Sequence, residues 1–448
     1  MSYWADIDVK KVPHIAVPAP GPKSREYHDR AGRYMKGYSS QVKLFPVVFE
    51  KGHGVTLTDV DGNTYLDFSS GIYVTSLGHC HPKISEAVAK YARQLMNCHD
   101  FTTPIKTQLL EKLASIMPGD LNGIQLYDSG TTAVEAGLRA IRAATGKFEF
   151  ISFYRDFHGK TMGAVSCAGV DKTQGMRAPG FFLVPRGYCY RCAFKLNYPA
   201  CNLHCVDHIE NCIKNETSGQ VAGIVLEPIQ GWAGSVIPPD GWIQKIRALC
   251  DKYKMLMLAD EVLTCMARTG KMFAMEHWKT APDVTTLGKS FGNGFPVTAM
   301  VVSEKYKDAL EKISASTSYG GNPMACAAAL ASIEVIEEEK LCEHSAQLGD
   351  YILGLLKKIQ QAHPIVGEVR GKGCLLGIEL VKDRATREPF EEAGKMVYQK
   401  AFRKGLAWVP ANHILRLSPP IIMSKEAAAR GIEIIEEALT ETEKELGV

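Results

Sequence analysis

From about residue 80 to residue 330 short apolar runs recur between helix-length stretches: GIQLYD, FEFISF, VAGIVLEP, KMLMLADEV, DVTTLGK and VTAMVVS. Continuous apolar runs of this length suit strands covered on both faces, and their separation by helical segments suits βαβ crossovers. The pattern predicts an α/β fold with a largely parallel sheet. Ahead of it, VTLTDVDGNTYLDF alternates apolar and polar residues around Asp61-Gly62, which predicts a hairpin. The opening carries Pro13, Pro18, Pro20 and Pro22, and over the first 45 residues it reads as an extended arm. After Gly320-Gly321-Asn322-Pro323, the run MACAAALASIEVIEEE predicts a helix leading to a C-terminal α+β lobe. That lobe holds the strand candidate CLLGIELV and closes on the amphipathic helix SKEAAARGIEIIEEALTETEKEL. The expected division is residues 1–75 as arm and hairpin belonging to a small domain, 76–325 as the large domain, and 326–448 as the C-terminal small domain.

Composition narrows the function class. The 448 residues are 46% hydrophobic and 23% charged, enough for a large core and two lobes. A formal charge of +3, spread without blocks, leaves no electrostatic footprint for nucleic acid. The start, Met-Ser-Tyr-Trp-Ala-Asp-Ile-Asp, lacks the basic and apolar regions of a signal peptide, and VAGIVL is far too short to span a membrane. Thirteen scattered cysteines fit a reducing compartment better than a disulfide framework. A soluble, cytoplasmic protein is the expectation, with any binding to be read from its sites.

Three stretches carry candidate chemistry. MLMLADEVLTCMARTG is a strand run ending in Asp260-Glu261, and the carboxyl ends of parallel strands are where ligands bind; the bland alternative is an acid capping the next helix. PDVTTLGKSFGNGFP ends another strand at Lys289, followed by small residues that let a planar group approach. A lysine there, shielded from water, can lose its proton and form an imine, although most lysines are solvated surface amines. In LYDSGTTAVEAGLRAIRAATG, Ser129-Gly130-Thr131 stands just before a helix, whose free amides and dipole suit a phosphate. It is no Walker loop. The stretch GKGCLLG looks like a dinucleotide loop only superficially, because its last Gly is one residue late and an apolar strand follows.

Taken in order, SGTTAVEAGLRAIRAATG, FHGKTMGAVS, LEPIQG and ADEV followed by TLGKSFGNGFP resemble the class III (ω-type) aminotransferases. With SYGGNPMACAAA and LRLSPP the resemblance runs over nearly the whole chain. It implies the PLP-dependent transferase fold type I and pyridoxal 5'-phosphate as cofactor. On that basis Lys289 is the Schiff-base lysine and Asp260 faces the ring nitrogen. Phe157 and Val262 would pack on opposite ring faces. Ser129, Gly130 and Thr131 would hold the phosphate, with Ser318 reaching it from a neighbouring subunit of a homodimer. His158 follows the stacking aromatic, where a structural and a functional histidine are equally expected. Arg416 matches an arginine that takes a substrate carboxylate, Glu227 its resting-state partner, and Tyr73 a pocket wall.

The chain departs from the family pattern in several places. Leu263 stands where Gln is common, Cys265 and Ala267 where Gly is usual, and Trp232-Ala233 where Glu-Gly is common. These changes bear on the substrate, not on the cofactor.

The N-terminal arm, GIYVTSLGHCHP and EVLTCMARTG look like 3-aminobutyryl-CoA aminotransferases. This implies a β- or ω-amino donor, among them a CoA thioester, and 2-oxoglutarate or pyruvate as acceptor. HPIVGEVRGKG and ELVKDRATREP also occur in the racemase branch of the family, so an amino-acid racemase or epimerase is the alternative. A non-catalytic binding protein on this fold would need neither Asp260 nor Lys289. Finally, CYRCAFKLNYPACNLHC places Cys189, Cys192, Cys201 and Cys205 at C-x2-C-x8-C-x3-C spacing. Four thiolates so spaced suit a structural zinc or an iron-sulfur cluster; free thiols and disulfides are the other readings.

Overall fold

A computed structural model describes residues 5–169 and 175–448, so Met1–Trp4 of the N-terminal stretch lie outside the described residues. The chain forms two compact units, one comprising the sequence up to Pro82 together with Glu339–Val448, the other Lys83–Glu338.

In the first unit, β1 (Phe49–His53), β2 (Thr56–Asp59) and β3 (Thr64–Asp67) form an antiparallel meander in which Thr58 faces Thr64. The β2–β3 turn holds Asp61-Gly62, and Gly62 sits at φ 90°, a region that favours glycine. The proline-rich opening is not wholly extended, because Pro22–Gly32 is an 11-residue helix. Pro22 suits the first helical turn, and Gly21 brings no side chain to cap it. The cap comes from the hairpin instead: Asp61 accepts hydrogen bonds from the amides of Lys23 at 2.8 Å and Ser24 at 2.9 Å. A cap supplied from so far along the chain leaves no local signal.

The second unit is built on a seven-stranded sheet of β4 (Leu121–Tyr127), β5 (Glu149–Phe153), β6 (Phe181–Val184), β7 (Val221–Leu226), β8 (Leu256–Glu261), β9 (Val284–Leu287) and β10 (Thr298–Ser303). The order is β4-β10-β9-β8-β7-β5-β6. Only β10 runs antiparallel to its neighbours. All residues of β5, β7, β8, β9 and β10 are buried, which is why they read as unbroken apolar runs. The largely parallel α/β architecture is the one predicted. β6 was not foreseen; it is a half-buried edge strand with a weak pattern.

The helix Gly130–Thr145 lays Ala133, Ala136, Leu138 and Ile141 onto Val225, Leu258, Val284 and Met300 of this sheet. Gly137 permits the closest approach, since a Cβ there would lie 2.7 Å from Leu258 Cδ1. The carboxyl ends of β4, β5, β7, β8 and β9 therefore share one edge, the place where open α/β sheets bind ligands.

The first unit is completed by β11 (Val366–Lys372), β12 (Leu375–Leu380), β14 (Val409–Ala411) and β15 (Ile414–Leu417), an antiparallel sheet of order β11-β12-β15-β14. β13 (Leu406–Ala407) adds in parallel to β3. The GKGCLLG stretch is the β11–β12 hairpin, with no helix for a phosphate to meet. The helix Lys425–Leu446 begins at Ser424, whose hydroxyl accepts from Ala427 N at 3.1 Å. Among the described residues no helix is long and apolar enough to cross a membrane.

Candidate active site

The candidate residues of the second unit gather along the shared strand edge. Asp260 is the penultimate residue of β8, is 4% exposed and has both carboxylate oxygens engaged. Oδ1 accepts from Val262 N at 3.1 Å and from Thr286 Oγ1 at 2.8 Å; Oδ2 lies 2.7 Å from His158 Nδ1. His158 arrives from the loop after β5, and its Nε2 stands 3.4 Å from Asp156 Oδ2, an ion-pair contact. Burial pulls this imidazole toward its neutral form, but the carboxylates of Asp156 and Asp260 outweigh that and raise it to about 10. His158 is thus an imidazolium bridging two acids.

Asp156 is anchored in turn. Gln230 Nε2 donates to Asp156 Oδ1 at 2.6 Å, and Arg186 Nη1 lies 3.8 Å from the same oxygen. The Arg186 guanidinium stands 4.8 Å from the Trp242 ring centroid and donates to Pro228 O at 2.8 Å. Asp156, Thr286 and Gln230 were not singled out from the sequence. Asp156 carried the same signal as Asp260, an acid just beyond an apolar strand.

Neighbouring acids have other duties. Glu261 accepts from Ala274 N at 2.6 Å, Met275 N at 3.0 Å and Thr264 Oγ1 at 2.9 Å, tying down the chain that follows β8. Glu227 accepts from Phe157 N and Gly231 N, each at 2.8 Å. Burial pushes each of these glutamates up to about 7. Both Glu227 oxygens thus hold loop backbone.

Lys289 stands one residue beyond β9, after Gly288, and is half-buried at φ 48°, a left-handed conformation that is strained for a residue with a Cβ. Beside it, the buried Cys265 thiol donates to Gly288 O at 3.6 Å. Val262 lies between two glycines: a Cβ on Gly130 or on Gly288 would sit 3.0 Å from Val262 Cγ1. Gly130 opens the helix Gly130–Thr145, and its N-cap Ser129 makes no side-chain cap. The amides of Gly130, Thr131 and Thr132 meet no acceptor among the described residues. Thr131 Oγ1 is 2.6 Å from Thr161 Oγ1, which joins this helix to the loop carrying Phe157 and His158. Gly159 makes that junction possible, since a Cβ there would lie 2.3 Å from Thr131 Oγ1.

Phe157 is half-buried and stacks on Trp232, with ring centroids 5.7 Å apart and planes at 30°. Ser318 lies exposed ahead of the helix Pro323–Glu338, and its carbonyl accepts from Asn97 Nδ2 at 2.9 Å. Tyr73 and Arg416 belong to the other unit, each 1% exposed, Arg416 on β15 opposite Gly377.

The cysteine expectation requires correction. Cys189, Cys192, Cys201 and Cys205 line one small cavity with Arg186 and His204 and are all free thiols. Among the described residues, no group of three or more His, Cys, Asp or Glu side chains is placed to hold a metal ion, zinc or iron-sulfur cluster. Spacing counts residues between thiols but does not aim them. Cys189 opens a single 3-10 turn and remains exposed, and Leu203 at φ 61° reverses the chain between Cys201 and Cys205.

Residues 37–439 match the family model for class III aminotransferases. The chain is 33% identical to a leucine/methionine racemase of Thermococcus litoralis, over 91% of this chain and 93% of that protein. It is 35% identical to a 5-aminovalerate aminotransferase of Pseudomonas aeruginosa, over 89% of this chain and 95% of that protein. The omega transaminase of Pseudomonas jessenii, solved in complex with PMP, superposes with a TM-score of 0.88 at 26% identity, covering 94% of this chain and 99% of that one.

The residues present fit a pyridoxal phosphate. Open helix amides meet the phosphate's charge, a buried carboxylate meets a ring nitrogen, and the Gly130–Val262–Gly288 strip leaves a flat floor. The chain belongs to the class III aminotransferase family.

Proposed function

We propose that this chain is a ping-pong transaminase that bonds pyridoxal phosphate through Lys289. One observation carries the reading: Asp260, held 2.7 Å from the His158 imidazolium, and Lys289 occupy the carboxyl ends of adjacent strands. When bound, the cofactor supplies an aldehyde carbon and a ring that absorbs the electrons of the breaking bond.

The chain supplies the rest. Asp260 would face the ring nitrogen, held in place by His158 Nδ1 at 2.7 Å and by Thr286 Oγ1 at 2.8 Å. Ser129, Gly130 and Thr131 present the helix start to the phosphate, while Phe157 and Val262 restrict the ring to one plane. Lys289 Nζ would be the base that takes the proton from the carbon bearing the donor amine and carries it past the amine nitrogen to the cofactor's aldehyde carbon. Arg416 would receive a keto-acid carboxylate and Tyr73 would wall the pocket. Ser318 would serve the site of a second copy in a homodimer. In support, Asn97 ties the Ser318 carbonyl close to a segment where Met96 and Phe101 are 60% and 79% exposed, large apolar side chains of the kind a second copy would cover.

The donor we infer is a β- or ω-amino compound, with 3-aminobutyryl-CoA as first candidate and 2-oxoglutarate or pyruvate as acceptor. A 5-aminovalerate aminotransferase among the relatives supports an amine remote from a carboxylate; the thioester rests on the resemblance of the arm and adjoining stretches. Substituting Lys289→Ala is expected to remove the visible band of the bound cofactor and lower turnover on the order of 10^3-fold or more. Retention of both would end the reading.

The racemase relative favours a second reading, in which the proton returns to the opposite face of the same carbon. Holoenzyme given a chiral amine and no keto acid separates the two. A single half-reaction marks a transaminase, and sustained loss of optical rotation marks a racemase.

A further inference from the structure

Trp232 is the exposed member of an otherwise buried loop. Gln230 and Val236 exchange two backbone hydrogen bonds, of 3.1 and 3.0 Å, which close the loop as a tight bridge. Inside it Ala233 and Ser235 are buried, and Gly231 is fixed through its amide to Glu227 Oε2 at 2.8 Å. Gln230 Nε2 donates to Tyr154 O at 2.9 Å and to Asp156 Oδ1, so the loop is tied to the strand edge. From this pinned frame the Trp232 indole projects 44% exposed, against Phe157.

The footing of the loop is equally specific. A Cβ on Gly231 would lie 2.1 Å from Leu263 Cδ1, so Leu263 presses directly on the backbone just before Trp232. Leu263 and Trp232 are both departures from the family pattern, and Leu263 packs on Gly231, the residue before Trp232. Each replaces a polar or charged side chain with an apolar one. A rigid indole loses little conformational freedom on binding, offers a flat apolar face and presents no countercharge to a carboxylate.

We propose that Trp232, footed on Leu263, is a specificity-determining residue: its indole takes the uncharged alkyl or acyl substituent of the amine donor and disfavours a carboxylate at that position. The inference deepens the transaminase reading and rests on it.

The test uses purified holoenzyme with pyruvate and two donors, 2-aminohexane and 3-aminobutanoate. The ratio of kcat/KM for the alkyl donor over the carboxylate donor is expected to fall about tenfold in Trp232→Ala, chiefly through KM, as for loss of an apolar pocket wall. It should fall further in Trp232→Glu and stay near the wild-type value in Trp232→Phe. Independently of turnover, 2-hexanone should quench the tryptophan fluorescence of the wild type and not that of Trp232→Phe. An unchanged ratio overturns the proposal. So does an equal loss on both donors through kcat, which would make Trp232 a prop for Phe157. Absence of the cofactor band in the wild-type protein overturns the transaminase reading itself, and this proposal with it.

Discussion

Two clusters of chemically capable side chains lie in the same sheet-centred unit, and they have opposite construction. Asp156, His158, Asp260, Thr286 and Lys289 come from three separate strand ends, those of β5, β8 and β9, yet their polar atoms meet at hydrogen-bonding or ion-pair distance or stand on adjacent strands. Cys189, Cys192, Cys201 and Cys205 come from one 17-residue stretch ending in the helix His204–Asn215 and line a common cavity, yet they form no ligand set. Nearness along a chain leaves side chains free to point apart. Nearness along the carboxyl edge of a parallel sheet does not, because the hydrogen-bonded strands fix where each end must be.

The contrast can be tested by damaging each cluster, beginning with the larger expected effect. Asp260→Asn would remove the carboxylate proposed to face the cofactor ring. Turnover should fall by roughly 10^2- to 10^3-fold, the scale for losing one preorganised electrostatic partner, with the fold unchanged by circular dichroism. Activity near the wild-type level would mean the strand edge is not the reacting centre.

A smaller effect is expected on stability against pH. The folded-state value of His158, about 10, lies above the 6.5 of a free imidazole. Its contribution is therefore fully present below about 6.5 and is lost as pH rises through about 10. Urea melts of the wild type should show stability falling across that window, and His158→Gln should flatten this part of the profile. An identical slope in the two proteins would remove the imidazolium from the account.

The smallest effect belongs to the loop. Cys189→Ser changes an exposed thiol, so stability should move by no more than about 0.5 kcal/mol. Metal measured in anaerobically purified protein should be well below one ion per chain. A stoichiometric ion, with unfolding on chelation, would reverse the correction made to the cysteine expectation.

How much was legible in the sequence follows the same division. Buried strands announce themselves because β7 and the first four residues of β8 are buried and apolar, whereas β6, half-buried at the edge, carries no such demand. The Asp61 cap on the helix Pro22–Gly32 was invisible because the carboxylate comes from a distant turn. The joining of the N-terminal hairpin with Glu339–Val448 in one unit skips the whole of Lys83–Glu338, beyond the reach of any periodicity. In the candidate site, Lys289 and Asp260 were readable as acid and amine at strand ends. Asp156 was equally readable but passed over, and the anchoring of Glu227 by two backbone amides could not be inferred from LEPIQG at all.

Gly159 has a practical consequence for anyone reshaping this enzyme by directed evolution. With φ at 129° and a would-be Cβ 2.3 Å from Thr131 Oγ1, the position is closed to substitution, so a library randomised there would return mostly dead clones. Trp232, two-fifths open, is where diversity should be spent.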